Sequence, residues 1–242
     1  MSSTAARTAA PPLLAVAHGT RDADGMAEIG ALLERVRGLR PGLRVELGCV
    51  DVAQPSLART LATLRGEVVV VPLLLGTGYH VRVDIPEALA AAPQVRARVT
   101  SALGPDPLLA TALAQRLAQA RPGRGTSAVV LASAGSTDPA ANAEAAVMAE
   151  LLTARLGRPV VASYLCGGSP APAEAVAALR AEGHDEVAVA RYLLAPGYFA
   201  RLAASAGGCV TSAPLGAHEA VARLVLRRYD EAARAGSLSR VA

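Results

Sequence analysis

Short apolar runs alternate along this chain with longer stretches in which apolar positions recur at helical spacing. Leu13 to His18 (LLAVAH) precedes an amphipathic stretch from Gly25 to Leu39, and LRVELGCV (43–50) precedes Pro55 to Leu64. EVVVVPLLL (67–75) precedes Asp84 to Ala91, and RVTSAL (98–103) precedes Pro107 to Ala120. Apolar runs that do not alternate with polar residues predict strands buried on both faces, and helices between them predict a parallel sheet with helices on each side.

The series stops at the Gly- and Pro-rich stretch RPGRGTS (121–127) and then restarts. SAVVLAS leads to a helical pattern over Ala141 to Leu156, PVVASYL to Pro170 to Ala181, EVAVARYLLA to Tyr198 to Ala206, and CVTSA to Ala217 to Ala233. Landmarks recur in order: Pro55 matches Pro170, LLLGTGYH matches YLLAPGYF, and SALGPDPLLATAL matches SAPLGAHEAVARL. The expected fold class is therefore α/β, as two tandem doubly wound parallel-sheet domains over 12–121 and 126–236.

Composition narrows the partners. Of 242 residues 52% are apolar, yet no uninterrupted apolar run reaches the roughly 18 residues of a membrane span, so no membrane association is expected. The opening MSSTAARTAAPP reads as a frayed tail without a secretory h-region, which predicts a cytoplasmic protein. Cys49, Cys166 and Cys209 stand in no C-x-x-C spacing, which disfavours a disulfide framework, a zinc knuckle and an iron–sulfur site. The net charge of +4 is carried by arginine alone. With one Phe, no Trp and no dense basic block, nucleic acid is a poor partner. Guanidinium forks do suit carboxylate-rich ligands, which they bind through paired hydrogen bonds.

In a doubly wound sheet, ligands bind outside the carboxyl ends of the strands, and the first strand lies between the second and third. His18 ends the first strand, Asp51 follows the second and His80 the third, which predicts that all three face one crevice. Each alone could be a cap or a solvated loop residue. The second copy separates the readings: aligned on the landmarks, His18 becomes Ala134, Asp51 becomes Cys166 and His80 becomes Phe199, while the Gly, Pro and Tyr neighbours are largely kept. Groups that vanish together from a retained scaffold behave as one site that only one copy needs.

The segments AHGTRD, CVDVAQPSL and VVPLLLGTGYHVRVDIP resemble the signature segments of the CbiX-type class II chelatases, which insert Fe(II) or Co(II) into sirohydrochlorin. The resemblance covers both halves and implies two chelatase-like domains, the second degenerate. It implies that His18 and His80 are the metal-handling pair and that Asp51 stands where the family usually carries Glu, so that His18, Asp51 and His80 are the catalytic and metal-binding set. It also implies that Fe2+ or Co2+ and sirohydrochlorin are substrates and that no cofactor is permanently bound, for a role in siroheme or cobalamin biosynthesis.

The residue types fit that chemistry. A free-base tetrapyrrole loses its pyrrole protons as the metal enters, and imidazole near neutrality can both hold a divalent ion and accept a proton. The polycarboxylate rim of sirohydrochlorin calls for cationic and backbone donors. Candidate substrate contacts are Thr20, Arg21, Ser56, Gly78, Tyr79 and Arg82. For Thr20 and Ser56 helix capping is the stronger reading, and Arg21 and Arg82 read equally as surface charge. A histidine phosphatase is disfavoured because Ala17, not Arg, precedes His18. A non-catalytic tetrapyrrole or metal carrier of the same two-lobed form is the alternative function. The repeat predicts a pseudo-dimeric monomer in which the second copy forms the opposite wall of one cleft.

Overall fold

The computed structural model describes residues 10–120 and 125–238. The remaining stretches, 1–9, 121–124 and 239–242, lie outside the described residues, and with them most of the expected N-terminal tail and linker. The first half runs β1 (Leu13–Ala17), α1 (Ala23–Leu39), β2 (Val45–Cys49), α2 (Leu57–Thr63) and β3 (Gly66–Pro72). A π-helical turn (His80–Asp84) then leads into α3 (Ile85–Ala90), followed by β4 (Val95–Val99) and α4 (Pro107–Gln119). The second half repeats the series as β5 (Ala128–Ser133), α5 (Pro139–Leu156), β6 (Val160–Tyr164), α6 (Pro172–Ala181), β7 (Val187–Tyr192), α7 (Tyr198–Ala204), β8 (Val210–Thr211) and α8 (Glu219–Leu238).

The strands form two parallel four-stranded sheets with orders β2-β1-β3-β4 and β6-β5-β7-β8. In each, the first strand of the half is central, as a doubly wound sheet requires. Side chains of β1 alternate between the two faces: Leu13, Ala15 and Ala17 enter one cluster, Leu14 and Val16 another. Both faces are buried, which is why the strand reads as an unbroken apolar run.

RVTSAL was expected to hold the fourth strand, but β4 lies earlier, paired to β3 from Gly66↔Val95 to Val70↔Val99. The apolar Ala102 and Leu103 are buried from a loop, with the Leu103 amide donating to the Leu74 carbonyl at 2.8 Å. Their hydrophobicity marked burial without marking a strand.

Helix starts follow local chemistry. Asp22, Asp106 and Asp138 cap α1, α4 and α5 by accepting backbone amides, and Pro occupies the first turn of α4 and α5. These caps fix where each loop at the carboxyl ends of the strands turns back into a helix.

One feature was not visible in the pattern. The last helix of each half crosses to the other: α8 packs on α1 and β3, whereas α4 packs on α5 and β7, and the two exchanged helices also touch. Leu224 and Val225 of α8 thereby join one core with Leu13, Val69, Leu131 and Met148. The crossing is pinned by polar contacts. Arg40 makes a paired bond to Asp230 at 3.0 and 2.9 Å, and buried Asp106 pairs with Arg227 and Arg228. No helix among the described residues is long and apolar enough to cross a membrane.

Candidate active site

Loops at the carboxyl ends of the inner strands open on a cleft of about 820 Å³ between the two lobes. His18, Tyr79 and His80 line it from one side, and Ala134, Tyr198 and Phe199, their counterparts, from the other. Its floor is tied across the lobes, since the buried Tyr192 hydroxyl donates to the Leu75 carbonyl at 2.9 Å. Burial pushes the Tyr192 phenol far up, so this group stays a neutral donor.

The loop carrying His18 is built by backbone. Gly19 takes φ +92°, and the Asp51 amide donates to the His18 carbonyl at 3.0 Å. A Cβ on Gly19 would strike the Asp51 carbonyl. The second copy is built alike: Gly135 takes φ +82°, the Cys166 amide donates to the Ala134 carbonyl at 3.0 Å, and a Cβ on Gly135 would strike the Cys166 carbonyl. The glycine is therefore retained in both copies for the close approach of two loops, independently of which side chain precedes it.

His18 and His80 meet edge to face, with ring centroids 4.6 Å apart and planes at 89°. The Nδ1 of His18 lies 3.1 Å from the Gly19 carbonyl. The Nδ1 of His80 is hydrogen-bonded to the Asp84 carboxylate, four residues on along the π-helical turn. An acceptor at each Nδ1 selects the Nδ1–H tautomer and leaves the Nε2 lone pairs for a ligand. Two imidazoles presented this way can bind a divalent first-row ion without enclosing it, or accept protons.

Asp51 does not join them, contrary to the expectation of a three-residue crevice. It is exposed and absent from the cleft lining, where its neighbour Val52 appears instead, and its carboxylate accepts the Val52 amide at 2.8 Å. The chain leaving β2 turns against the His18 loop, with the Val50 and Asp51 amides donating to the Ala17 and His18 carbonyls, so Asp51 is spent on that turn. Among the described residues no group of three or more His, Cys, Asp and Glu side chains could hold a metal ion. Among the described residues, then, no third His, Cys, Asp or Glu side chain joins the imidazole pair in such a group.

Of the other candidates, Thr20, Arg21, Gly78 and Tyr79 line the cleft. Thr20 also accepts the Asp22 amide at 3.1 Å. Ser56 is outside the lining and caps α2, accepting the Arg59 amide at 3.3 Å. Arg82 is likewise outside and pairs with Asp138 of the other lobe. Sequence reasoning left Asp84, Tyr198 and Arg201 unassigned. The i, i+4 spacing of His80 and Asp84 was the available signal for the first.

Tyr79 and Tyr198 occupy equivalent places in the two copies and are 64% and 70% exposed, unusual for large rings and suited to contact with a flat ligand. Arg201 donates to Asp22 at 2.7 Å across the cleft, and this bond, helped by the Gly25 amide, holds the Asp22 carboxyl below the usual carboxylate range.

A sequence profile of the CbiX family matches residues 12–120 and 128–232, one copy in each half. A sirohydrochlorin ferrochelatase of Priestia megaterium is 27% identical over 195 residues, covering 76% of this chain and 73% of that one. The structure of SirB from Bacillus subtilis with Fe3+ superposes with a TM-score of 0.75 at 24% identity, over 93% of this chain and 96% of that one. CbiX described as the terminal enzyme of siroheme biosynthesis in denitrifying bacteria gives a TM-score of 0.66 at 24% identity, over 91% and 99%. At that identity the structural likeness establishes the two-lobed fold.

Proposed function

Since the chain belongs to the CbiX family, we propose that it is a sirohydrochlorin chelatase, placing Fe2+, and Co2+ where supplied, into the free-base ring. The observation that carries this reading is the His18–His80 pair, two imidazoles in contact on one wall of a cleft large enough for a small macrocycle. The ferrochelatase relative favours iron. Imidazole nitrogens bind Co2+ at least as well as Fe2+, so supply decides between them.

In this reading the ring lies between the walls, with the exposed faces of Tyr79 and Tyr198 against it. The Nε2 atoms of His18 and His80 hold the incoming ion briefly and take up the pyrrole protons that it displaces. A two-nitrogen site suits a transient ion, because a closed ligand set would retain it. Asp84 keeps the His80 ring in its tautomer and orientation as a positioning residue. Asp51 serves the site through its loop, whose amide holds the His18 carbonyl. The chemistry resides in the half 12–121, and the half 126–236 supplies a metal-free wall of Ala134 and Phe199.

The test is the visible spectrum of sirohydrochlorin with Fe2+ or Co2+ under anaerobic conditions. Accelerated metallation that depends on both His18 and His80 is expected. Binding of the ring without acceleration would make the protein a carrier and overturn the reading.

A further inference from the structure

The two lobes are latched by two ion pairs that are copies of each other, one in the cleft lining and one outside it. Asp22 caps α1 in the first lobe and pairs with Arg201, and Asp138 caps α5 in the second and pairs with Arg82. Asp22 and Asp138 end the equivalent segments HGTRD and AGSTD, while Arg82 and Arg201 each lie two residues beyond the matched pair His80 and Phe199. Each lobe thus lends one arginine to the helix start of the other. Asp22 and Arg201 are part of the cleft lining, whereas Arg82 and Asp138 lie outside it, where only the side arms of a ring in the cleft would reach.

These pairs are poorly placed to be structural bolts. The arginine side chains are 51% (Arg82) and 68% (Arg201) exposed, and exposed ion pairs contribute little to stability. The aspartates do not depend on them. Asp22 also accepts the Asp24 and Gly25 amides at 3.1 and 3.3 Å, and Asp138 accepts the Ala140 amide at 2.9 Å. A helix N-terminus satisfies each carboxylate after its arginine leaves. The arginine, in contrast, is a bidentate donor whose partner can be exchanged for another carboxylate without stranding a charge.

We propose that Arg82 and Arg201 are the carboxylate-receiving residues of the site, one from each lobe, held in register by Asp138 and Asp22 until the acidic rim of the tetrapyrrole takes their place. No covalent step is involved; one ion pair is exchanged for another. This inference rests on the chelatase reading for the identity of the ring and adds how the second, metal-free lobe recognises it.

The test measures binding of uroporphyrin, an octacarboxylate, to the full chain by fluorescence without metal, so that it does not depend on turnover. Arg82→Ala and Arg201→Ala should each weaken binding about tenfold or more. Asp22→Asn and Asp138→Asn keep the helix cap, since Asn caps as well as Asp, and release the arginine. They should bind as tightly as the parent or more tightly. Loss of affinity in the Asn variants equal to that in the Ala variants would show that the pairs merely hold the lobes together and would overturn the proposal. So would unchanged affinity in both arginine variants. The two readings fail separately: asymmetric effects in a protein that does not accelerate metallation would keep the clasp and remove the chelatase, and metallation with symmetric effects would do the reverse.

Discussion

At the scale of single residues, the site rests on side chains that the core does not need. His18 is exposed and the His80 side chain is 32% exposed, so His18→Ala and His80→Ala should each lower metallation by roughly a hundredfold or more while leaving the unfolding midpoint nearly unchanged. A large loss of stability in either would show that the lost rate was a folding defect. Asp84→Ala should lower the metallation rate roughly 10–100-fold, as loss of a histidine's orienting partner does, with uroporphyrin affinity unchanged. Restoration of rate by Asp84→Glu would separate positioning from mere loss of packing. The histidines were legible because the second copy lacks them. Asp84 was not, because the helix was expected to begin at Asp84 itself, which leaves His80 outside it; the π-helical turn places both on one face. Asp51 was misplaced for the opposite reason: strand order puts its backbone beside His18, but only the loop path decides where the carboxylate points.

At the scale of elements, α8 carries the most consequence. The His218 ring accepts the Ala220 amide through Nδ1 at 3.1 Å and so caps the start of this helix in its neutral form. Burial, aided by the charges of Arg116 and Arg35, lowers the His218 pKa from its ordinary value of 6.5. The folded protein therefore binds a proton there less readily than the unfolded chain. Stability from this group is full above about pH 6.5 and declines as pH falls below it, towards the lower folded-state value. Loss of a cap costs about 1 kcal/mol, or roughly 2–4 °C in a chain of this length. Thermal melts from pH 7.5 to 5 should show that decline in the parent and less of it in His218→Asn, which keeps an uncharged cap; identical curves would remove His218 as the cause. The other end of the contact is Asp106, which both caps α4 and holds Arg227 and Arg228. Asp106→Ala should destabilise by roughly 2–4 kcal/mol in urea melts, and Asp106→Asn by less, because only the charge is lost.

At the scale of the whole molecule, the exchange of α4 and α8 changes what a half-length fragment can do. The segment 1–124 keeps its four strands but lacks α8, whose Val221, Leu224 and Val225 are fully buried in the intact chain. Its α4 would also have lost α5 and β7. The fragment should bind hydrophobic dyes, self-associate and metallate poorly, and co-expression with 125–242 should restore activity. A monomeric, fully active fragment would show that neither the exchanged helix nor the second wall is needed. For the intact chain, titration should give one tetrapyrrole and one catalytic metal, because Ala134 and Phe199 leave no second imidazole pair.

The order of strands and helices, the tandem repeat and the difference between its copies were determined by the sequence alone. Periodicity records which face of a segment is buried, and a repeat records which loops correspond. Neither records against what a face is buried. Helices α4 and α8 have the same apolar stripe whether they cover their own sheet or the other, and the crossing became definite only when the shared core closed around both. The ion pairs between the lobes follow the same rule. Asp22 meets Arg201 and Arg82 meets Asp138 because the packing of the lobes sets each helix start opposite the other lobe's arginine, a relation between distant residues that no local pattern carries.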